Sequence, residues 1–227
     1  MSKIVLFGIG RGADVAYRYL VRDSDHEICA FTVDRKYIRG STFRDLPVVP
    51  FEEVEHDFPP ESHQMFIVLG YQEMNALRQR KYMEAKGKGY RFISYVCSDF
   101  FRAGDLDIGE NCFILDNQSI CLDVKIGNNV VMWSSNHIGD MSTIQDHVWI
   151  SSHVTIAANV TVSENSFLGV GATISGRVTL GKSSFIGAHV LISSDTKPAS
   201  VHVAADTPPA GVNSNAFMRI LSASGKL

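Results

Sequence analysis

The sequence predicts a small α/β, Rossmann-like nucleotide-binding domain over residues 1–105, a parallel β-helix of about five coils over 106–197, and a tail over 198–227. Three observations lead there: an aliphatic residue at every sixth position from Ile108 to Ile192, a glycine-rich turn directly after the first apolar strand, and a fall in charge density near residue 105. Residues 1–105 carry 15 basic and 15 acidic side chains, whereas the rest carries 6 and 9. FRAGDLD (101–107) therefore reads as the junction. A chain that is 45% hydrophobic and 20% charged is composed to fold rather than to stay disordered.

The first domain reads strand by strand. KIVLFG (3–8) is an apolar run that breaks at glycine, a buried strand rather than a signal peptide. GIGRGA (8–13) follows, then the helix-compatible ADVAYRYLV. EICAFTV (27–33) ends in Asp34, which lies 22 residues beyond Gly12. MFIVLG (65–70) is a third strand, a helix is expected over about 73–86, and YRFISYV (90–96) makes a fourth strand. Strand, glycine turn, helix, strand and acid is the logic of a mononucleotide-binding half, in which helix N-terminal amides meet phosphate and the acid meets ribose or base. Ala13 stands where the dinucleotide fingerprint has its third glycine, and about 100 residues is short for a complete dinucleotide fold, so NAD is not expected.

The second domain is read from its period. Six residues fit neither the 3.6-residue repeat of an α-helix nor the two-residue alternation of a free strand. They fit a short strand plus a corner on one side of a three-sided prism, which makes a coil of 18 residues. The position three after each aliphatic residue is rich in residues that tolerate left-handed backbone: Asn111, Asn117, Asp123, Asn129, Asn159, Asn165, Gly171, Asp195. This is the hexapeptide signature of the left-handed parallel β-helix. The tail, with Pro198, Pro208, Pro209 and Gly211, is expected to stop the repeat and fold back as a cap.

A short α/β domain followed by such a β-helix resembles the hexapeptide-repeat sugar O/N-acyltransferase family. That family includes the sialic acid O-acetyltransferase and the PglD-type amino-sugar N-acetyltransferases. The resemblance is carried by the Gly8–Gly12 turn, Asp34 with Arg35, Leu69 with Gly70, and the hexads from 108 to 197. It implies a cytoplasmic homotrimer with acetyl-CoA as cosubstrate and no metal, acting on a nucleotide-linked amino-sugar for surface-glycan synthesis. By the same resemblance Gly10, Arg11 and Gly12 face the phosphates or sugar, and Asp34 and Arg35 face the base or ribose. Gly70, Tyr71, Gln72 and Asn75 follow strand three at the carboxyl edge, where ligands bind in open α/β sheets. Trp149 is carried over to the thioester, Val170 and Ala188 to the pantetheine, and Lys182 and Lys197 to the CoA phosphates.

The family's catalytic histidine occupies a slot that here holds Asp140, followed by Met141 rather than an acid. His137, which ends the preceding hexad, and Asp140 are the candidate bases, the histidine oriented by the carboxylate. Departure from the histidine favours an amine acceptor over a hydroxyl, because an amine needs less help from a base. His147 shares a corner row with Asn111, Asn129 and Asn165, so a structural role is expected. His153 and His189 lie two coils apart, a spacing that in zinc β-helices adds a third ligand where this chain has Ser194. The alternatives to N-acyl transfer are sugar O-acetylation and a silent scaffold that binds a nucleotide-sugar and transfers nothing.

The remaining composition excludes other classes. A net charge of −3 does not suit binding to nucleic acid or an anionic membrane. No run approaches the roughly 18 apolar residues that span a bilayer. Cys29, Cys97, Cys112 and Cys121 form no CxxC pair, as expected of reduced thiols.

Overall fold

The computed structural model describes residues 2–99 and 101–224. Strand β1 (Lys3–Phe7) is flanked in parallel by β2 (Glu27–Val33) and β5 (His63–Ile67). Strand β4 (Leu46–Pro50) joins β2 in parallel, and β3 (Thr42–Phe43) closes that edge antiparallel to β4. The order β3-β4-β2-β1-β5 gives β1 a partner strand on each side, and helices on the two faces cover Ile4 and Leu6 on one and Val5 and Phe7 on the other. Helix α1 (Arg11–Asp23) buries Ala13, Ala16 and Leu20 on one face of the sheet. The short α2 (Val54–Asp57) and α3 (Ala76–Gly87) cover the other face, with Tyr82 and Ala85 in its core.

The stacked hexads form three parallel sheets of seven, six and five strands, consistent with a left-handed β-helix. Strands pair 18 residues apart, as in Trp149 with Phe167 and Ile150 with Leu168. The aliphatic residues point inward into one continuous core from Ile114 to Ile192. Every corner residue three after an aliphatic one, from Asn111 to His189, has φ between +55° and +68°. Gly171 is the sole glycine among them, and Met141 and Arg177 stand beside the Asn, Asp, Ser and His corners, so stacked backbone hydrogen bonds sustain a left-handed corner that most residues disfavour. His147 N donates to Asn128 O at 2.8 Å one coil back, for example.

Three expectations are corrected. Tyr95–Val96 and Phe101–Arg102 already belong to the β-helix sheets, ahead of the boundary placed at 105. The fourth strand of the first domain is therefore a single bridge between Met65 and Phe92, because Tyr95 and Val96 pair with Phe113 and Ile114 instead. At the other end, Val201–His202 adds one more strand after Pro198, pairing with Phe185–Ile186. The tail then runs exposed to α4 (Ser214–Ala223), which buries no residue.

The two parts share a core. Phe113, Val131, Trp149 and Phe167 face outward from the seven-stranded sheet, yet they pack with Ile4, Leu6, Ala16, Leu20 and Phe66 of the α/β domain. Burying each of the large aromatics contributes on the order of 2 kcal/mol. This contact fixes how the α/β domain sits on the β-helix.

Candidate active site

A cavity of about 400 Å³ opens where the loop after β5 meets the β-helix. Tyr71 closes it from the α/β side, its ring 4.6 Å from Phe167 and 5.4 Å from Trp149. Trp133 stands 6.1 Å from Trp149 on the next coil. Ser151 and Ser152 supply hydroxyls, and Gly169, Val170 and Ala188 continue the wall up the same corner. Among the described residues, no ionisable group other than the Tyr71 phenol lines it. The geometry therefore unites Tyr71, Trp149, Val170 and Ala188, four of the residues singled out in the sequence.

A second cavity, of about 430 Å³, lies at the carboxyl ends of β1 and β2, floored by Phe7, Val33 and Leu69. Asp34 is on its rim. Lys81 donates to Asp34 Oδ1 and to Glu84 Oε2, each at 2.7 Å. Burial pulls the Lys81 ammonium down, but the two carboxylates outweigh it and leave its pKa above the ordinary value. Tyr37, Lys36 and Arg80 complete the rim, presenting a ring and charged groups of both signs.

No protein-family model and no curated protein sequence matches the chain. Solved structures do match. A histidine-to-asparagine mutant of perosamine N-acetyltransferase from Caulobacter crescentus, in complex with CoA and GDP-perosamine, superposes with a TM-score of 0.78 at 20% identity, over 88% of this chain and 93% of that one. The acetyltransferase domain of PglB from Neisseria gonorrhoeae, in complex with acetyl coenzyme A, gives 0.74 at 17% identity over 88% and 94%. WeeI from Acinetobacter baumannii gives 0.74 at 14% identity over 88% and 96%. The chain shares the fold of these structures.

On this fold the other candidate residues are dispersed. Gly10 is the N-cap of α1, with open space where a Cβ would stand, and Arg11 and Gly12 are exposed beside it. Gly8 makes the turn at φ +121°, and Gly12 lies against Val68 O. Arg35 turns away from the second cavity to pair with Glu53 at 2.5 Å. Gly70 precedes Tyr71, with the Gln72 side chain folded over it. His137 is exposed on the six-stranded sheet, its Nδ1 3.2 Å from Ser119 Oγ. Asp140 sits at the next corner, where its Oδ1 accepts from Leu122 N at 2.9 Å. No hydrogen bond joins the two among the described residues, so the expected orientation of His137 by Asp140 is not found. Neither residue lines the aromatic cavity of its own chain. Lys182 pairs with Glu164 at 2.6 Å on a different corner, and Lys197 is exposed beyond it. His153 and His189 are exposed corner residues, the latter lying over Gly171. Among the described residues no group of three His, Cys, Asp or Glu is placed to hold a metal ion.

Sequence reasoning missed a buried polar ladder beneath the site. Asn111 Oδ1 accepts from Ile67 N at 2.8 Å, and Asn111 Nδ2 donates to Asn129 Oδ1 at 2.8 Å. Asn129 Nδ2 lies 2.9 Å from His147 Nδ1, which therefore accepts as a neutral imidazole. Asn75, taken above as a ligand candidate, is fully buried and donates instead to Asn165 O and Ser166 O. Arg78, also fully buried, donates to His147 O at 2.8 Å. The large apolar residues at 113, 131, 149, 167 and 185 recur every 18 residues, whereas the six- and five-stranded faces present Ser119, Thr155, Thr173, Lys125, Thr143 and Thr161. That sub-period was the available sign that one face is covered.

The ladder has an acid limit. Burial pushes the His147 imidazole down to about 4, from an ordinary value near 6.5. The unfolded chain therefore takes up this proton first, and stability falls as pH drops from 6.5 towards 4. The loss from this group reaches on the order of 3 kcal/mol and then levels off. Denaturation midpoints measured across that window should decline in the native protein and decline less in His147→Asn. Burial lowers His26 in the same direction and leaves a residual slope. Asp23, held near 2 by the Ser98 hydroxyl and amide, adds its own loss only from the acid end of the window downward, as the unfolded carboxyl protonates near 3.8.

Proposed function

We propose that the chain is an acyl-CoA-dependent N-acyltransferase that uses acetyl-CoA to acylate the amino group of a nucleotide-linked amino-sugar. The observation that carries this reading is the aromatic cavity, which is built jointly by the α/β domain through Tyr71 and by the β-helix through Trp149, Phe167 and the Gly169–Val170 corner. A ligand held in the first domain and a donor lying along the second can meet there. Structures of the same fold carry CoA with GDP-perosamine or acetyl-CoA, which supports both substrates.

The chemistry is a thioester aminolysis. The amine lone pair attacks the carbonyl carbon, a C–N bond forms, the C–S bond breaks, and the CoA thiolate takes up the proton that the amine loses. Holding both substrates in one cleft supplies much of the acceleration. The phosphates lie at Gly10, Arg11 and Gly12, where the exposed N-terminus of α1 offers unpaired amides. The base or ribose meets Asp34, and Arg35 reaches it on release from Glu53. Acyl-CoA runs past Val170 and Ala188, in a homotrimer whose neighbouring subunits bound the groove, with Lys182 and Lys197 available to its phosphates. His137, or Asp140, relays that proton, taking it from the attacking amine and giving it up to the departing CoA thiolate. A cavity whose walls carry no cation disfavours a sugar with a carboxylate, because a carboxylate buried without a partner is costly. A hydroxyl acceptor would also need a stronger base than an Asp140 already engaged by Leu122 N.

Thiol release from acetyl-CoA, with UDP-, dTDP- and GDP-linked 4-amino-sugars and their hydroxyl counterparts, tests this. Release is expected with one amino-sugar and is expected to fall about 100-fold in His137→Ala if that histidine is the base. Release with a hydroxyl sugar alone means O-acylation. Binding of a nucleotide-sugar with no release from any acceptor overturns the transferase reading in favour of the silent scaffold.

A further inference from the structure

Arg78 on α3 is buried to 0% exposure, and no carboxylate pairs with it among the described residues. A guanidinium taken out of water with no counter-ion is strongly disfavoured unless its geometry is used. Its Nη2 donates to His147 O at 2.8 Å and reaches Val148 O at 3.4 Å, the carbonyls of the two residues that lead into Trp149. Asn75 Oδ1 accepts from the same guanidinium at 3.2 Å, and Nε has no partner. The guanidinium carbon lies 5.7 Å from the centre of the Trp149 ring. One planar cation thus holds both the backbone entering Trp149 and the face of its indole.

Fastening α3 to the β-helix does not need this cation. Asn75 already ties the same helix to the next coil through Asn165 O and Ser166 O, using neutral groups. The further demand met by Arg78 is at Trp149, whose indole forms the cavity wall between Tyr71 and Trp133. Burial lowers the guanidinium pKa to about 9, so it stays charged at neutral pH and its attraction to the ring persists.

We propose that Arg78 is a positioning residue for acyl transfer, fixing the Trp149 indole as the rigid wall against which the reacting groups lie. This rests on the reading of the aromatic cavity as the transfer site. Lysine does not replace the arginine, because its donors sit on one nitrogen at the end of a flexible stem, whereas the guanidinium presents Nη1 and Nη2 in a fixed planar fork to Asn75 Oδ1 and the two carbonyls.

The test uses Arg78→Lys and Arg78→Met in a Trp133→Phe background, where Trp149 is the sole tryptophan of the chain. With folding checked by thermal melting, Arg78→Lys is expected to lower kcat about tenfold and leave the KM for acetyl-CoA close to the parent's. Trp149 emission should shift to the red and become more open to acrylamide quenching in both variants. Folded variants that keep the parent's kcat and emission overturn the proposal and reduce Arg78 to a fastener. If neither variant folds, Trp149→Leu decides, since it keeps Arg78 and its carbonyl bonds: an unchanged kcat there overturns the proposal, and a tenfold fall supports it. Absence of thiol release in the parent overturns the transferase reading alone, and the emission arm still decides whether Arg78 holds the indole.

Discussion

Trp149→Ala is expected to slow acyl transfer about 100-fold and to cost roughly 3–5 kcal/mol of stability, the range for deleting a large buried aromatic. The indole is 8% exposed and meets three groups from three directions: Tyr71 at 5.4 Å, Trp133 at 6.1 Å and the Arg78 guanidinium at 5.7 Å. Its loss opens the cavity towards the shared core and leaves a buried cation without the ring that faces it. The seven-stranded sheet should survive, because the backbone bond from Trp149 N to Ser166 O does not depend on the side chain. Thiol release measured well below the melting temperature separates lost function from lost fold. A rate reduced about 100-fold in a folded protein is the expected result, as for a site whose reacting groups lose their alignment. A folded Trp149→Ala protein with native turnover would remove the cavity from the mechanism.

Gly169→Val is expected to be the most damaging single change at the cavity. A Cβ at Gly169 would fall 2.6 Å from Ala188 N and 2.7 Å from Gly187 C, which are backbone atoms of the next coil. That coil cannot swing aside, because Gly169 N donates to Ile186 O at 2.7 Å and fixes the spacing. Relief requires the two coils to part, at a cost of about 3 kcal/mol or more for backbone overpacking. The parting would also move Val170 and Ala188, the upper wall of the cavity. Thermal melting should show a large fall for Gly169→Val and a smaller one for Gly169→Ala. Melting temperatures equal to the native protein's would contradict the packing described for this corner.

The repeat was legible in the sequence because each coil repeats the same two demands, an aliphatic residue inward and a residue tolerant of positive φ at the corner. The glycine turn and β1, β2 and β5 were legible for a similar local reason. What was not legible is the docking of the α/β domain onto the β-helix. Asn75, Arg78, Asn111 and His147 meet across the chain, and nothing in their local spacing predicts that an asparagine after β5 will bind a carbonyl 90 residues away. The strand ends were misjudged for a related reason. Tyr95 and Val96 read as a continuation of the α/β domain, but their partners Phe113 and Ile114 lie on the β-helix. Of the candidate site residues, those carried by the hexad register at one corner converge with Tyr71, whereas Lys182, Lys197, His137 and Asp140 fall on other corners or faces of the same chain.

The most direct test of N-acyl transfer is the chemical nature of the product bond. The native protein would be incubated with radiolabelled acetyl-CoA and the nucleotide-linked amino-sugar that supports thiol release, and the labelled sugar separated from acetyl-CoA and treated with alkaline hydroxylamine. Label that stays on the sugar, as an amide does, is the predicted result. Label released as acetyl hydroxamate, as from an ester, would contradict it and assign the chain to sugar O-acetylation.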